Sequence, residues 1–254
     1  IVIFCYVQNN LIVITNIDIN SSKITEQIKI LHLSDLHGKE FGENNSKFIK
    51  GVKEQKPDII VFTGDLIDKS AKNISGSVYL LQELNKLAKV YYIPGNHEYW
   101  SGRSESVFMM LRNAKVKVLN CDIENLTIKG NNLSILGVDE TGYDKQIIES
   151  SLEELEKSKG YKVLLSHYPE NFSSNYSSRR VDLVLSGHAH GGQFNIPFVG
   201  GVYAPGQGFL PKYYKGLYTE NGVNLVVSRG LGNSVIPIRL FNRPEIVVIN
   251  VTGD

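Results

Sequence analysis

Five of the six histidines in this 254-residue chain fall in short polar motifs whose residue types suit metal chemistry. In chain order the motifs are Asp35-x-His37, Gly64-Asp65, Gly95-Asn96-His97-Glu98, His167 and Gly187-His188-x-His190. Singly each is weak, because an Asp that follows a strand is usually a turn residue or a cap. Together they supply carboxylate, amide and imidazole donors, which suit Mn, Fe or Zn. No thiolate is present to favour purely structural zinc. In Asp35-x-His37 the two side chains stand two residues apart where an extended run ends, so both can face one side. A carboxylate such as Asp65 can bridge two cations with its two oxygens. Two cations roughly 3.5–4 Å apart can clamp a phosphoryl group, acidify a water for in-line attack and offset the charge that builds on the phosphoryl oxygens.

The elements that must position these residues are legible as apolar runs. Residues 28–33 read as a buried strand before Asp35, 58–62 before Gly64-Asp65, 90–93 before Gly95, 162–165 before His167 and 182–185 before Gly187. Ligands of α/β sheets bind beyond the carboxyl ends of the strands, so side chains remote in sequence are predicted to converge at one rim. Helices are expected over 44–55, 78–88, 104–113 and 145–159; in the second, Leu80, Leu81, Leu84 and Leu87 recur at helical spacing. Residues 124–128 and 133–138 read as a hairpin around Gly130-Asn131-Asn132, and 225–227 and 246–251 as further strands. No linker separates two halves, which suits one α/β domain with mixed sheets. His32 lies inside the first strand and reads as a structural residue.

Composition narrows the partners. A net charge of +1, with no basic patch interleaved with aromatics, argues against a nucleic-acid surface, so no nucleic-acid partner is expected. Cys5 and Cys121 form no CxxC pair, which argues against a disulfide framework or a zinc knuckle. The apolar run 1–7 is far short of the about 20 residues that span a bilayer. It reads either as a first β-strand or as the tail of a membrane anchor. Residues 8–22 contain no Lys or Arg, which favours the extracytoplasmic side of a membrane over the cytoplasm. Residues 1–27 are therefore expected to form an N-terminal segment, anchor tail plus first strand, ahead of a domain over 28–254.

The five motifs, in this order, resemble those of the calcineurin-like metallophosphoesterases. The resemblance implies an α/β fold, a four-layer αββα sandwich of two mixed β-sheets flanked by helices, and two divalent metal ions. It implies that Asp35, His37, Asp65 and His190 hold the first ion. Asp65, Asn96, His167 and His188 would hold the second, with Asp65 bridging. His97 would contact the phosphoryl oxygen and protonate the leaving group. Glu98 stands where the family commonly has Asp and would orient His97.

Departures from the family pattern narrow the class. Its protein phosphatases carry Gly-Asp-x-x-Asp-Arg-Gly, whereas this chain reads Gly64-Asp65-Leu66-Ile67-Asp68-Lys69-Ser70. The missing arginine argues against a phosphoprotein substrate and leaves Asp68 as an expected helix cap. The stretches Gly187 to Gln193, Ser228-Arg229-Gly230-Leu231-Gly232, Pro237-Ile238-Arg239-Leu240 and Arg243-Pro244-Glu245 look like a bacterial, membrane-linked or exported subgroup. That subgroup includes phosphodiesterases and UDP-diacylglucosamine pyrophosphohydrolases. The resemblance thus implies a small-molecule or lipid-linked phosphoester, cut at a phosphodiester or pyrophosphate bond. A phosphomonoesterase with the same site is the alternative. An interaction scaffold of this fold would be expected to lack His97 or several donors. A metal-dependent deacetylase would use similar ligands around one ion in a different order.

Three further features carry two readings each. Arg229 and Arg239 are either paired loop arginines or a bidentate grip on phosphate. The Gly-, Pro- and aromatic-rich stretch 194–214 is either a loop with core aromatics or a rim that receives substrate. Tyr99 and Trp100 either line the pocket or pack beneath it.

Overall fold

The structure, a computed structural model, describes residues 2–233 and 238–253; Ile1 and Pro237 of the stretches above lie outside the described residues. Strand alternation sets its layers. In Ile28–Leu33, Ile28 and Ile30 point to one face, while Leu31 and Leu33 point to the other. Ile59–Thr63 repeats this, with Ile59 and Val61 opposite Ile60 and Phe62. In Tyr161–Leu165, Val163 and Leu165 share the first of those faces, and Leu164 turns away. Both faces of these strands are apolar because each is covered, as buried parallel strands require.

Two six-stranded sheets result. The first runs in the order Val13–Asn20, Glu245–Thr252, Ile28–Leu33, Ile59–Thr63, Lys89–Ile93, Lys117–Val118. The second runs Gly216–Glu220, Val223–Val227, Leu183–Ser186, Tyr161–Leu165, Asn131–Gly137, Asp122–Ile128. Both are mixed: only Glu245–Thr252 against Ile28–Leu33 is antiparallel in the first, and the two outer pairs are antiparallel in the second. The sheets pack face to face through one apolar layer that includes Ile30, Val61, Ile93, Ile135, Val163 and Leu185. Helices Ser46–Gln55, Ser75–Asn85 and Ser104–Asn113 cover the outer face of the first sheet, and Lys145–Lys157 covers the second. This is the expected four-layer αββα sandwich. Asp144 caps the last helix by accepting from the amides of Gln146 and Ile147, groups that a helix start leaves without partners.

One strand expectation is corrected. The apolar run at the N-terminus is a helix, Val2–Asn10, and the first strand is Val13–Asn20. The sheet edge explains the shift. Val13–Asn20 pairs in parallel with Glu245–Thr252 and alternates, with Ile17 and Ile19 buried and Asp18 and Asn20 exposed. That pairing leaves the preceding run without a strand partner, and a helix satisfies its backbone locally. Among the described residues no helix is long and apolar enough to cross a membrane.

Candidate metal centre

The polar motifs all sit just past strand ends, three in the first sheet and two in the second. Asp35 and His37 follow Ile28–Leu33, Asp65 follows Ile59–Thr63, and Asn96 and His97 follow Lys89–Ile93. His167 follows Tyr161–Leu165, and His188 and His190 follow Leu183–Ser186. The backbone there is unusual. Asp35, His37, Asp65, His188 and His190 all have φ between 47° and 62°. Left-handed backbone is uncommon outside glycine and tends to cluster at functional sites, where the surroundings hold it in place. The motif glycines allow the loops to close. A Cβ on Gly95 would lie 2.3 Å from Asp65 Oδ1, and one on Gly187 would lie 1.9 Å from Ser34 Oγ and 2.5 Å from Asp35 Oδ2.

The side chains converge into three groups, two of which share Asp65, while the third joins His37, Asp68 and His97. Asp35, His37, Asp65 and His190 bring donor atoms within 4.8 Å of one another, and so do Asp65, His167 and His188. In the first group His37 Nε2 lies 3.6 Å from Asp65 Oδ2 and 3.2 Å from His190 Nε2, which is 3.6 Å from Asp35 Oδ1. In the second, His167 Nε2 lies 3.4 Å from Asp65 Oδ2 and 3.2 Å from His188 Nδ1. Asn96 follows Gly95 and is buried, and its Oδ1 has no hydrogen-bond partner. An orphaned buried oxygen is costly unless something electropositive meets it. Imidazole nitrogens turned toward each other at 3.2 Å likewise need a cation or proton between them. The donor set therefore fits metal ions.

Protonation points the same way. Burial lowers His37 to about 4 and His188 to about 3, and it holds His190 well below its ordinary value. These rings stay neutral and keep the lone pairs a metal needs. Burial pushes Asp35 up, as expected for a carboxylate with too little positive charge nearby. Burial also opposes charge on Asp65 and His167, but their mutual attraction outweighs it, holding Asp65 low and His167 high. A proton on His167 thus supplies positive charge beside Asp65. The remaining ring nitrogen is fixed from behind, since His167 Nδ1 lies 2.7 Å from Thr63 O.

His97 stands at the mouth. Its side chain is partly exposed, and its ring packs edge-on against His37 with centroids 4.4 Å apart. Two roles drawn from the sequence are corrected here. Glu98 does not orient His97. Its carboxylate is fully buried and accepts from the amides of Asp65, Ile67 and Gly95 at 3.0, 3.1 and 2.7 Å. Asp68 is not a helix cap. Its Oδ1 accepts from Ser70 N at 2.8 Å in a turn, and its Oδ2 faces His97 Nδ1 at 3.2 Å.

The arginine grip is corrected as well. Arg229 is tied to Glu245, with Nη2 to Oε1 at 2.7 Å. Arg239 is 1% exposed and spends its guanidinium on backbone carbonyls, with Nε to Gly232 O at 2.9 Å and Nη1 to Arg229 O at 2.9 Å. His32 is structural, buried with Nε2 2.8 Å from Thr63 Oγ1. Tyr99 packs against Phe108 and hydrogen-bonds Asp139, whereas Trp100 is 61% exposed with its ring 5.2 Å from that of His97.

Two acids escaped the sequence reading. Glu140 accepts from Ser166 Oγ, His167 N, Asn171 Nδ2 and Tyr176 OH at 2.7–3.2 Å. Glu170 Oε1 lies 4.0 Å from His188 Nε2. The signal for Glu140 was present, because Asp139-Glu140 follows the strand Asn131–Gly137 just as the metal motifs follow theirs.

The fold and this metal-fitting rim define a metal-dependent phosphoesterase. The profile of the calcineurin-like phosphoesterases matches residues 28–192, and the chain belongs to that family. The metallophosphoesterase Cj0846 of Campylobacter jejuni is 33% identical over 246 residues, covering 94% of this chain. The chain spans 63% of that relative's length. A metallophosphoesterase of Aquifex aeolicus is 33% identical over 243 residues, 89% of this chain and 86% of its own length. The phosphopantetheinyl hydrolase PptH of Mycobacterium tuberculosis superposes with a TM-score of 0.52 at 13% identity, over 83% of this chain and 92% of its own, which shows the shared fold.

Proposed function

We propose that this chain hydrolyses a phosphodiester or pyrophosphate bond in a small-molecule or lipid-linked substrate, using two divalent ions drawn from Mn, Fe and Zn. The observation that carries this reading is the shared position of Asp65 in both donor groups. Asp35, His37, Asp65 and His190 would hold one ion, and Asp65, Asn96, His167 and His188 the other. When bound, the ions supply the charge that offsets the phosphoryl oxygens and acidifies the attacking water. His97 would donate a proton to the leaving oxygen, with Asp68 holding its ring. Arg229 and Arg239 are engaged with Glu245 and with backbone carbonyls. Neither is free to take the second charge of a monoester, which supports a diester or pyrophosphate. The reading includes association with a membrane on its extracytoplasmic side, supported by residues 1–17, which carry no charge.

The test is a substrate panel run with Mn added, comprising bis-p-nitrophenyl phosphate, p-nitrophenyl phosphate, a UDP-linked lipid and a phosphoprotein. Turnover of the diester or the UDP-lipid without phosphoprotein turnover is expected. Preference for the phosphoprotein, or no turnover by chain carrying its full metal content, would overturn the reading.

A further inference from the structure

The first helix, Val2–Asn10, is inside out. Ile3 is 81% exposed and Tyr6 66%, and Phe4 is also exposed, whereas the residue turned inward is Gln8. Gln8 Oε1 accepts from Asn242 N at 3.2 Å. A surface helix in water turns its apolar stripe to the core and its polar face outward; this helix does the reverse. The apolar surface continues beyond it. The Phe4 ring meets that of Phe241 at 5.5 Å, and Phe241 and Leu11 are both about half exposed. A contiguous exposed patch of this kind marks an interaction surface.

Charge identifies the occupant. The cleft beside the helix is lined by Gln8, Val13, Arg229, Phe241 and Arg243. Lys215 lies close enough to Arg229 to be depressed by burial and then by that charge, and Lys39 donates to the carbonyl of Asn9 near the helix end. Against these four cations stands Glu245, already tied to Arg229. An uncharged apolar face with excess positive charge behind it is complementary to an anionic bilayer, where side chains enter the interface and cations meet headgroups. A second copy of the chain fits poorly, because a two-fold interface would set the same cations near one another.

We propose that the outer face of Val2–Asn10, together with Phe241 and the cations beneath it, docks on an anionic lipid surface. The inference rests on the membrane-associated part of the function proposed above and gives it a location on the molecule. Asn242, which holds Gln8, also donates through Nδ2 to His190 O at 2.7 Å. The docking helix is therefore two hydrogen bonds from a loop of the metal centre.

The experiment is co-sedimentation with vesicles of phosphatidylcholine alone or mixed with phosphatidylglycerol, with turnover of soluble bis-p-nitrophenyl phosphate measured in parallel. The chain is expected to bind the phosphatidylglycerol vesicles, less tightly as salt rises. The double variant Ile3→Asp/Tyr6→Asp should bind about tenfold or more weakly, since two apolar contacts are lost, with soluble turnover unchanged. Arg243→Gln should weaken binding to anionic vesicles only. Because Arg243 also holds the carbonyl of Leu11, its thermal midpoint is checked against the parent. Failure of the parent chain to bind anionic vesicles would overturn the proposal, as would undiminished binding by the double variant. So would a solution dimer that the double variant abolishes, which would assign the face to a second copy. Loss of soluble turnover in the parent chain would sink the hydrolase reading instead and leave the vesicle result standing.

Discussion

Asp68 is the carboxylate that faces His97, with Oδ2 3.2 Å from Nδ1. The same nitrogen lies 3.1 Å from the backbone nitrogen of Lys69. The two contacts compete, because the amide needs a lone pair on Nδ1 and the carboxylate needs a proton there. An ionised partner makes the stronger hydrogen bond, so Asp68 prevails whenever the ring is protonated. The protonated ring donates from Nδ1 to Asp68 and keeps its second proton on Nε2, the ring nitrogen not engaged by Asp68 or Lys69.

That geometry predicts separate effects on chemistry and on metal. His97→Ala should lower turnover by about 10²–10⁴-fold, the usual scale for a lost general acid, while metal content stays near that of the parent. Asp68→Asn should lower turnover by a smaller factor and leave KM little changed, since it alters the ring and not the ions. Metal analysis alongside steady-state kinetics decides this; loss of metal in His97→Ala would move the residue from proton donor to ligand.

Much of this site was legible because one rule repeats five times: an apolar run, then a polar donor just past its end. The contact between Asp68 and His97 was not legible. It joins the loops after two neighbouring strands, Ile59–Thr63 and Lys89–Ile93, and neither loop alone shows that they meet. The two readings of the N-terminal run could not be separated, because a short apolar run has no period long enough to tell helix from strand. The choice between the two readings of Arg239 was not legible, because a sequence shows a guanidinium but not the carbonyls that consume its donors.

Glu98 should prove a keystone of the loops and not a partner of His97. Glu98→Ala would leave three buried amides, those of Asp65, Ile67 and Gly95, without an acceptor. At about 1–3 kcal/mol for each such group, a loss of about 3 kcal/mol or more is expected. Because two of those amides adjoin Asp65 and Asn96, metal retention through dialysis should fall with it. Denaturant unfolding and metal analysis test both; a variant of parental stability would refute the clamp.

Arg239 should govern stability and not substrate affinity. Its side chain is buried and bonds the carbonyls of Arg229, Gly232 and Asn242. Arg239→Met keeps bulk but strands those carbonyls, with an expected cost of about 3 kcal/mol. The KM of the folded fraction should stay near that of the parent. A large rise in KM at unchanged stability would restore the phosphate-grip reading.

Asp65 belongs to both donor groups, so its substitution should be felt at both. Asp65→Asn keeps the volume but removes the charge and one anionic oxygen. Metal content after dialysis should drop at both positions together, whereas Asp35→Asn should empty the first preferentially. Full retention of two ions in Asp65→Asn would exclude a bridging role.

His32 offers a pH test outside the donor set. Burial lowers it from 6.5 to about 3, so the folded chain keeps it neutral where the unfolded chain protonates it. Below pH 6.5 the unfolded state therefore binds the extra proton, and stability falls as pH falls. The contribution of neutral His32 is complete above 6.5 and is lost progressively down to about pH 3, at up to about 1.4 kcal/mol per pH unit. His32→Gln cannot titrate. Between about pH 6.5 and pH 5 the parent should lose about 2 kcal/mol more than this variant. Denaturant unfolding of both chains, each loaded with metal, measures the difference. Parallel curves would mean that the folded ring takes up its proton as readily as the unfolded one, which its full burial beside Thr63 forbids.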